Sequence, residues 1–280
     1  MPTDVWAEWL RTRRTGGSEE ERRRLLEALA PVRDRILDDA DVGPGVTVLD
    51  VGCGDGLVGL GALERGADVV FSDVSQACLD DCRAIARDRA RYHLAPATDL
   101  GDVDADVVTT RSVLIYVADK QAAFDEFFRV LHPGGRLSIY EPINRFGLEE
   151  RRSAYGFADV DGIEEPLGRL WRDSEHARAN EAMVEFDERD LVAHAERAGF
   201  AEIRVELRID VRPEPMWKTR SWDVFVNSAP NPLLPTFAEA MAAQLTEHEI
   251  ARVTAKLRPQ VEQGLGTTRF AEAYLLARKV

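Results

Sequence analysis

Eleven residues, Val46-Thr47-Val48-Leu49-Asp50-Val51-Gly52-Cys53-Gly54-Asp55-Gly56, restrict what this chain can become more than any other stretch. An apolar, β-branched run ends in an acid, then breaks into alternating glycines, and Leu57 onward reads as a helix. Strand, tight turn and helix N-terminus in that order open a doubly wound α/β unit. Gly52 allows the sharp turn, while Gly54 and Gly56 leave bare backbone for a ligand to rest on. Gly54-x-Gly56-x-x-Gly59 also fits the dinucleotide fingerprint literally, so an NAD-dependent oxidoreductase has to be weighed. Asp55 argues against it, because it stands inside the turn where a pyrophosphate would sit and like charges repel.

Composition narrows the classes further. At 280 residues the chain can bury a real core, and 45% apolar with 31% charged residues describes a soluble globular protein. No apolar run reaches the length of a membrane span and the N-terminus lacks a signal-peptide pattern, so neither membrane nor export is expected. A net charge of −14 disfavours a nucleic-acid partner. The one basic run, Arg22-Arg23-Arg24, follows Glu19-Glu20-Glu21 and reads as a solvated helix face. Cys53, Cys78 and Cys82 form no C-x-x-C pair, which suits a reduced, cytoplasmic setting and no metal. The sequence leaves the oligomeric state open.

Val5 to Arg14 reads as a short helix carrying Trp6, Trp9 and Leu10 on one face. Ser18 starts a second helix, with Glu21 completing a capping box, that runs to about Leu29 and continues from Pro31 to Asp39. Strands are expected at Val46–Val51, Asp68–Asp73, Arg91–Leu94, Asp106–Thr110, Arg136–Tyr140 and Ala201–Val211. His132-Pro133-Gly134-Gly135 reads as the turn before the fifth strand. Helices fall between the strands, including Asp119 to Val130 and a stretch capped by Asp187 and stopped by Gly199.

Asp50 ends a strand where it can face a cationic amine, so an acidic glycine loop suits S-adenosylmethionine, which has an amine, a sulfonium and no phosphate. The stretch resembles motif I of the class I SAM-dependent methyltransferases, with Asp50, Gly52, Gly54 and Gly56 in the patterned positions and Cys53 between them. The layout is similar to the ubiquinone and arsenite methyltransferase-like groups, although the cysteine set of an arsenic enzyme is absent. The resemblance covers about Val46 to Val211. It implies a Rossmann-like, doubly wound, mostly parallel seven-stranded sheet, closed by a hairpin between the sixth strand and a seventh at Arg269–Arg278. Residues 1–45 then form a helical cap and 46–280 the SAM-binding domain, with lid-like insertions at about 143–186 and 212–266. It also implies Asp73 on the ribose, Val74 against the adenine, Asp99 and the Leu100 N–H at the adenine edge, and Arg111 at the methionine end.

Many relatives carry Glu-His where this chain has Ile115-Tyr116, which removes an acid–base pair and leaves a phenol. Tyr116, Glu141 at the end of the fifth strand, and His176 in the first insertion are the catalytic candidates. His194 lies in a helix and reads as structural. The expected activity is methyl transfer by in-line displacement to a small molecule or small peptide. Thirty-two arginines against four lysines suggest a GC-rich genome, compatible with secondary metabolism. A non-catalytic SAM-binding protein stays open as an alternative.

Overall fold

The computed structural model describes residues 4–148, 155–172, 181–215 and 220–280. Seven strands form one sheet in the order β3-β2-β1-β4-β5-β7-β6. They are β1 (Thr47–Val51), β2 (Asp68–Asp73), β3 (Ala90–Leu94), β4 (Ala105–Arg111), β5 (Leu131–Pro142), β6 (Ala201–Arg212) and β7 (Thr268–Arg278). The first five run parallel, and β7 is antiparallel to both β5 and β6. The chain order reverses between β1 and β4, so the carboxyl ends of these two strands part and leave a crevice.

The strands at that crevice are buried on both faces, and their sequences show it. Val48, Leu49 and Val51 of β1, Val69, Val70 and Phe71 of β2, and Val107 and Val108 of β4 are all in the core. Helices α3 (Leu57–Glu64) and α4 (Gln76–Ala86) follow β1 and β2, and α5 (Lys120–Val130) follows β4. The helix α3 lies very close to β2. A Cβ built on Gly59 would stand 2.3 Å from the Phe71 ring, so only glycine allows this approach.

Three expectations are corrected. The second helix, α2 (Glu19–Asp39), runs unbroken through Pro31. A proline costs an interior helix one hydrogen bond, and here the helix still buries Ile36 and Leu37 completely. Ser18 caps α2 through Oγ alone, with no reciprocal bond from Glu21, whose carboxylate pairs instead with Arg24 and Arg220. Residues His132–Gly135 belong to β5 rather than to a free turn. Gly134, at φ 80°, donates its N–H to the Lys279 carbonyl, and the β4–β5 register shifts beside it.

The segment between β5 and β6 meets the segment between β6 and β7. Ile163, Leu167 and Leu170 of the first pack with Trp222, Val253 and Leu257 of the second in a small apolar cluster separate from the sheet's core. Helices α6 (Glu164–Arg172), α9 (Trp222–Asn227), α10 (Phe237–Gln244) and α11 (Glu247–Gln263) supply it, with the short α7 (Glu181–Val184) and α8 (Glu188–Ala198) between α6 and α9. Thr236 and Thr246 each form a full capping box at the start of α10 and α11. Among the described residues, no helix is long and apolar enough to cross a membrane.

The Gly59–Phe71 contact yields a stability prediction. Gly59→Val should destabilise the fold by about 1–3 kcal/mol, because the added methyls force α3 off β2. An unchanged urea midpoint for that variant would refute the close-approach argument.

Candidate active site

The glycine loop is held from two sides by buried carboxylates. Asp50, at the end of β1, accepts the Gly59 N–H of α3 at 2.8 Å on one oxygen and the Thr109 hydroxyl of β4 at 3.1 Å on the other. Asp73, at the end of β2, accepts the Gly54 N–H and the Ser75 N–H, both at 2.9 Å. Gly52, Gly54 and Gly56 all take left-handed φ angles of 65°, 53° and 81°. Gly52 also needs the space, since a Cβ there would meet Val113 at 2.4 Å. Gly56 is the N-cap of α3.

Over this loop lies a cavity of about 440 Å³, within the size range of small-molecule sites. Its floor is Gly52, Cys53 and Gly54, and Asp50 reaches it. One wall is Asp73, Val74 and the segment Ala95-Pro96-Ala97-Thr98; the opposite end is Arg111, Ser112, Val113 and Tyr116. The roof is helix α1 (Val5–Arg11), through Trp6, Trp9 and Leu10. Trp6 meets the Tyr116 ring edge-on at 4.9 Å. The helix is fastened by Asp4, which caps it and accepts the Ser75 hydroxyl at 2.6 Å, and by Arg11, which clasps Asp81 at 2.7 and 2.8 Å. The other N-terminal helix, α2, takes no part in the cavity and packs on α3 and β5.

The structure therefore brings Asp50, Gly52, Cys53, Gly54, Asp73, Val74, Arg111 and Tyr116 to one cavity. Val74 is 54% exposed, which leaves an apolar surface beside Asp73. Ser75, not Asp73, is the N-cap of α4, so the Asp73 carboxylate retains lone pairs for a ligand.

Other sequence-based candidates are placed elsewhere. Asp99 is exposed and outside the lining, and the Leu100 N–H is already given to Glu126 at 2.7 Å. The wall at this point comes from residues 95–98 instead, a stretch whose small apolar side chains carried no distinctive signal. Glu141 is fully buried and lies outside the cavity lining. Its carboxylate accepts three backbone N–H groups, from Val113 at 2.8 Å, Leu114 at 2.9 Å and Ile115 at 3.3 Å. It is corrected from a catalytic candidate to the residue that positions the turn carrying Tyr116. Tyr140 points to the other side of the sheet and donates to Glu272. Asn144 is buried away from the cavity. His194 bonds Gln121 and Arg197, which is structural. His176 lies outside the described residues. Sequence reasoning missed Cys78, on the wall in the first turn of α4; Ser112, at φ 57°, also lines the cavity.

Burial dominates the electrostatics. It raises both Asp50 and Glu141 to about 7, against their hydrogen bonds, and raises Asp73 as well. Burial likewise pushes the Tyr116 phenol up to about 12, so it is neutral at physiological pH. Among the described residues, no cluster of His, Cys, Asp and Glu is arranged to hold a metal.

The Glu141 shift makes a pH prediction. A carboxyl that binds its proton more tightly when folded favours the folded state at low pH. That advantage is full below about 4.5, its unfolded value, and is lost as pH rises towards about 7. Glu141→Gln, which stays neutral, should therefore flatten the decline of wild-type stability between those limits. Parallel wild-type and variant stability curves across the interval would show that Glu141 is ionised throughout.

Residues 49–139 match the family model described as a methyltransferase domain. The chain is 33% identical over 138 residues to the methyltransferase GfsG of Streptomyces halstedii, covering 46% of this chain and 50% of that protein. It is 33% identical over 136 residues to the nocamycin O-methyltransferase of Saccharothrix syringae, covering 45% and 48%. The matches thus span about half the length of these curated relatives. In fold it is similar to a geranyl diphosphate methyltransferase solved in complex with SAM, with a TM-score of 0.53, 18% identity, and coverage of 97% of this chain and 94% of that one. With the seven-stranded sheet order and the glycine loop at its switch point, these matches make residues 49–139 similar to a methyltransferase domain.

Proposed function

We propose that this chain is an S-adenosylmethionine-dependent methyltransferase acting on a small molecule. The observation that carries the reading is the carboxylate-braced glycine loop at the sheet's switch point, with acids where a phosphate ligand would need neutral or positive groups. The names of the relatives GfsG and nocamycin O-methyltransferase, and the SAM complex of the fold neighbour, support it. Bound here, S-adenosylmethionine supplies a sulfonium-activated methyl group that an acceptor takes by in-line displacement.

The cavity residues fit such a group in both size and charge. Asp73 offers its free lone pairs to a ribose diol, and Val74 with Pro96 and Ala97 gives an apolar slot for adenine. Asp50 places negative charge under the cationic end of the ligand. Trp6 and Trp9 exclude water, which strengthens those attractions. Tyr116 keeps its proton and orients the acceptor through a neutral hydroxyl. Among the described residues, no histidine or lysine lines the cavity, which supports catalysis chiefly by orientation. Held geometry of this kind reaches effective molarities of about 10⁵ M or more. Three free thiols and the lack of a spanning helix among the described residues support a cytoplasmic setting.

Calorimetric titration with S-adenosylhomocysteine and with NAD separates this reading from an oxidoreductase. Binding of NAD but not of the homocysteine nucleoside would sink the methyltransferase assignment. Asp73→Ala should weaken S-adenosylhomocysteine by about 10–100-fold through the loss of charge-assisted hydrogen bonds. Tyr116→Phe should leave that affinity unchanged while slowing transfer from radiolabelled SAM to an acceptor found in an extract. Tight nucleoside binding with no transfer to any fraction would favour a non-catalytic binder.

A further inference from the structure

One edge of the sheet is long and regular. Strand β6 pairs with β7 along one side, and among the described residues no strand pairs with its other side. It runs 12 residues, from Ala201 to Arg212. Its register shift lies at the start, between Ala201 and Arg204, and from Arg204 to Arg212 it follows β7 residue by residue. An unpaired edge of this kind presents a row of backbone N–H and C=O groups on which another strand can pair. The two faces of β6 differ sharply. Ile203 and Val205 pack against the core, but Leu207, Ile209 and Val211, further along the same face, are 37%, 54% and 60% exposed. Leu207 and Ile209 border a depression of about 170 Å³ that Ile143 and Phe146 also line, so the apolar surface is wider than one strand. The opposite face carries Arg204, Glu206, Arg208, Asp210 and Arg212, whose signs alternate without a break. Within one copy, Arg208 pairs with Glu206 at 2.9 Å, Arg212 with Asp210 at 3.1 Å, and Glu206 also with Arg35 of α2.

This alternation makes β6 complementary to itself. When two antiparallel strands are related by a two-fold axis, residues at equal distances on either side of the axis face each other. An axis through Arg208 would set Arg208 against its own copy, Glu206 against Asp210 and Arg204 against Arg212, all like charges. An axis through Ile209 sets Arg208 against Asp210 and Glu206 against Arg212, all opposite charges. It also places Leu207 on Val211 and Ile209 on Ile209, so all three exposed aliphatic side chains are covered at once. An axis through Leu207 matches the charges too, but sets Val211 against Ile203, within the irregular start of the strand. We propose that two copies of this chain associate edge to edge through β6, antiparallel and centred on Ile209, so that their sheets become one continuous sheet. The pairing spans Glu206 to Arg212 on each copy, well short of the roughly 20–30 residues a side of a standard interface, so the dimer exchanges readily with monomer. Strands β5 and β7 separate this edge from the crevice, and no residue of β6 lines the cavity, so the inference stands apart from the methyltransferase reading.

The test follows the mass of the full chain by sedimentation equilibrium, from about 1 µM to 1 mM, with melting curves to establish that each variant folds. Wild type should shift from monomer to dimer across that range. Ile209→Lys sets two ammonium groups against each other on the axis and should abolish the shift. Arg208→Glu sets a carboxylate against Asp210 and should weaken association by about tenfold or more, and adding Asp210→Arg to it should restore association by returning opposite charges to the pair. Register is read separately. The three native cysteines are buried, so Ile209→Cys should cross-link to its own copy under mild oxidation, whereas Leu207→Cys should cross-link only when mixed with Val211→Cys. A wild type that stays monomeric throughout overturns the proposal and leaves the edge to solvent or to a strand of another protein. Association that survives Ile209→Lys overturns it too. So does association that Ile209→Lys abolishes but Arg208→Glu leaves unchanged, since a contact between the apolar faces alone would ignore the charged face.

Discussion

The site depends on two buried carboxylates that grip one glycine loop. Asp50 ties the loop's far side to α3 and to β4, and Asp73 ties its near side to β2 and the start of α4. Three of these bonds join a carboxylate to a backbone N–H that would otherwise be orphaned at a turn or helix start, and buried orphans of that kind are expensive; the fourth comes from the Thr109 hydroxyl. The loop's three left-handed glycines need this external fixing, because glycine loses more conformational freedom on ordering than any other residue. The carboxylates bear the opposite cost of being buried as charges, which is why both are harder to ionise than in water. A cation placed above the loop favours the ionised form and eases that cost, so the site's structural device is also its electrostatic preference.

Much of this was legible because local chemistry and tertiary role coincide. The apolar run before Asp50 and the glycines after it require a strand and a turn in any context, and the alternation Ile203, Val205, Leu207, Ile209, Val211 marks β6 without reference to its partners. The seventh strand was harder, since Ala271-Glu272-Ala273 suits a helix; pairing with both β5 and β6 overrides that propensity. Glu141 shows the limit more sharply. Its position at a strand's carboxyl end is that of a pocket residue, and only the fold of Val113–Ile115 back towards it shows that backbone N–H groups have consumed both its oxygens. Leu100 shows the same limit: it fits a family pattern, but Glu126, 26 residues on, already accepts its N–H.

The packing of the segment between β5 and β6 on the segment between β6 and β7 was not legible. The first reads as polar and poorly periodic, and the second as two capped helices after an aromatic stretch. Together they bury Trp222, Leu167, Val253 and Leu257 in one cluster, a pairing that no local signal announces. Their link to the cavity is indirect. Trp9 of α1 donates its indole N–H to the Ala229 carbonyl at 2.9 Å, the Ala229 N–H returns to Arg13, and a Cβ on Gly16 would strike the Val224 carbonyl at 2.5 Å. The second segment thus braces the helix that roofs the site, and that helix supplies the two tryptophans of the lining.

This arrangement divides the cavity into parts of unequal stability. The floor is built on strands whose side chains are almost wholly buried, so opening it means disrupting the sheet. The roof is a seven-residue helix, too short to persist alone, held by a few hydrogen bonds, two tryptophans and the exposed Arg11–Asp81 pair. An exposed ion pair contributes only about 0–1 kcal/mol. Lifting α1 therefore costs far less than deforming the loop beneath it. The part of the lining that yields first is therefore the N-terminal helix carrying Trp6 and Trp9.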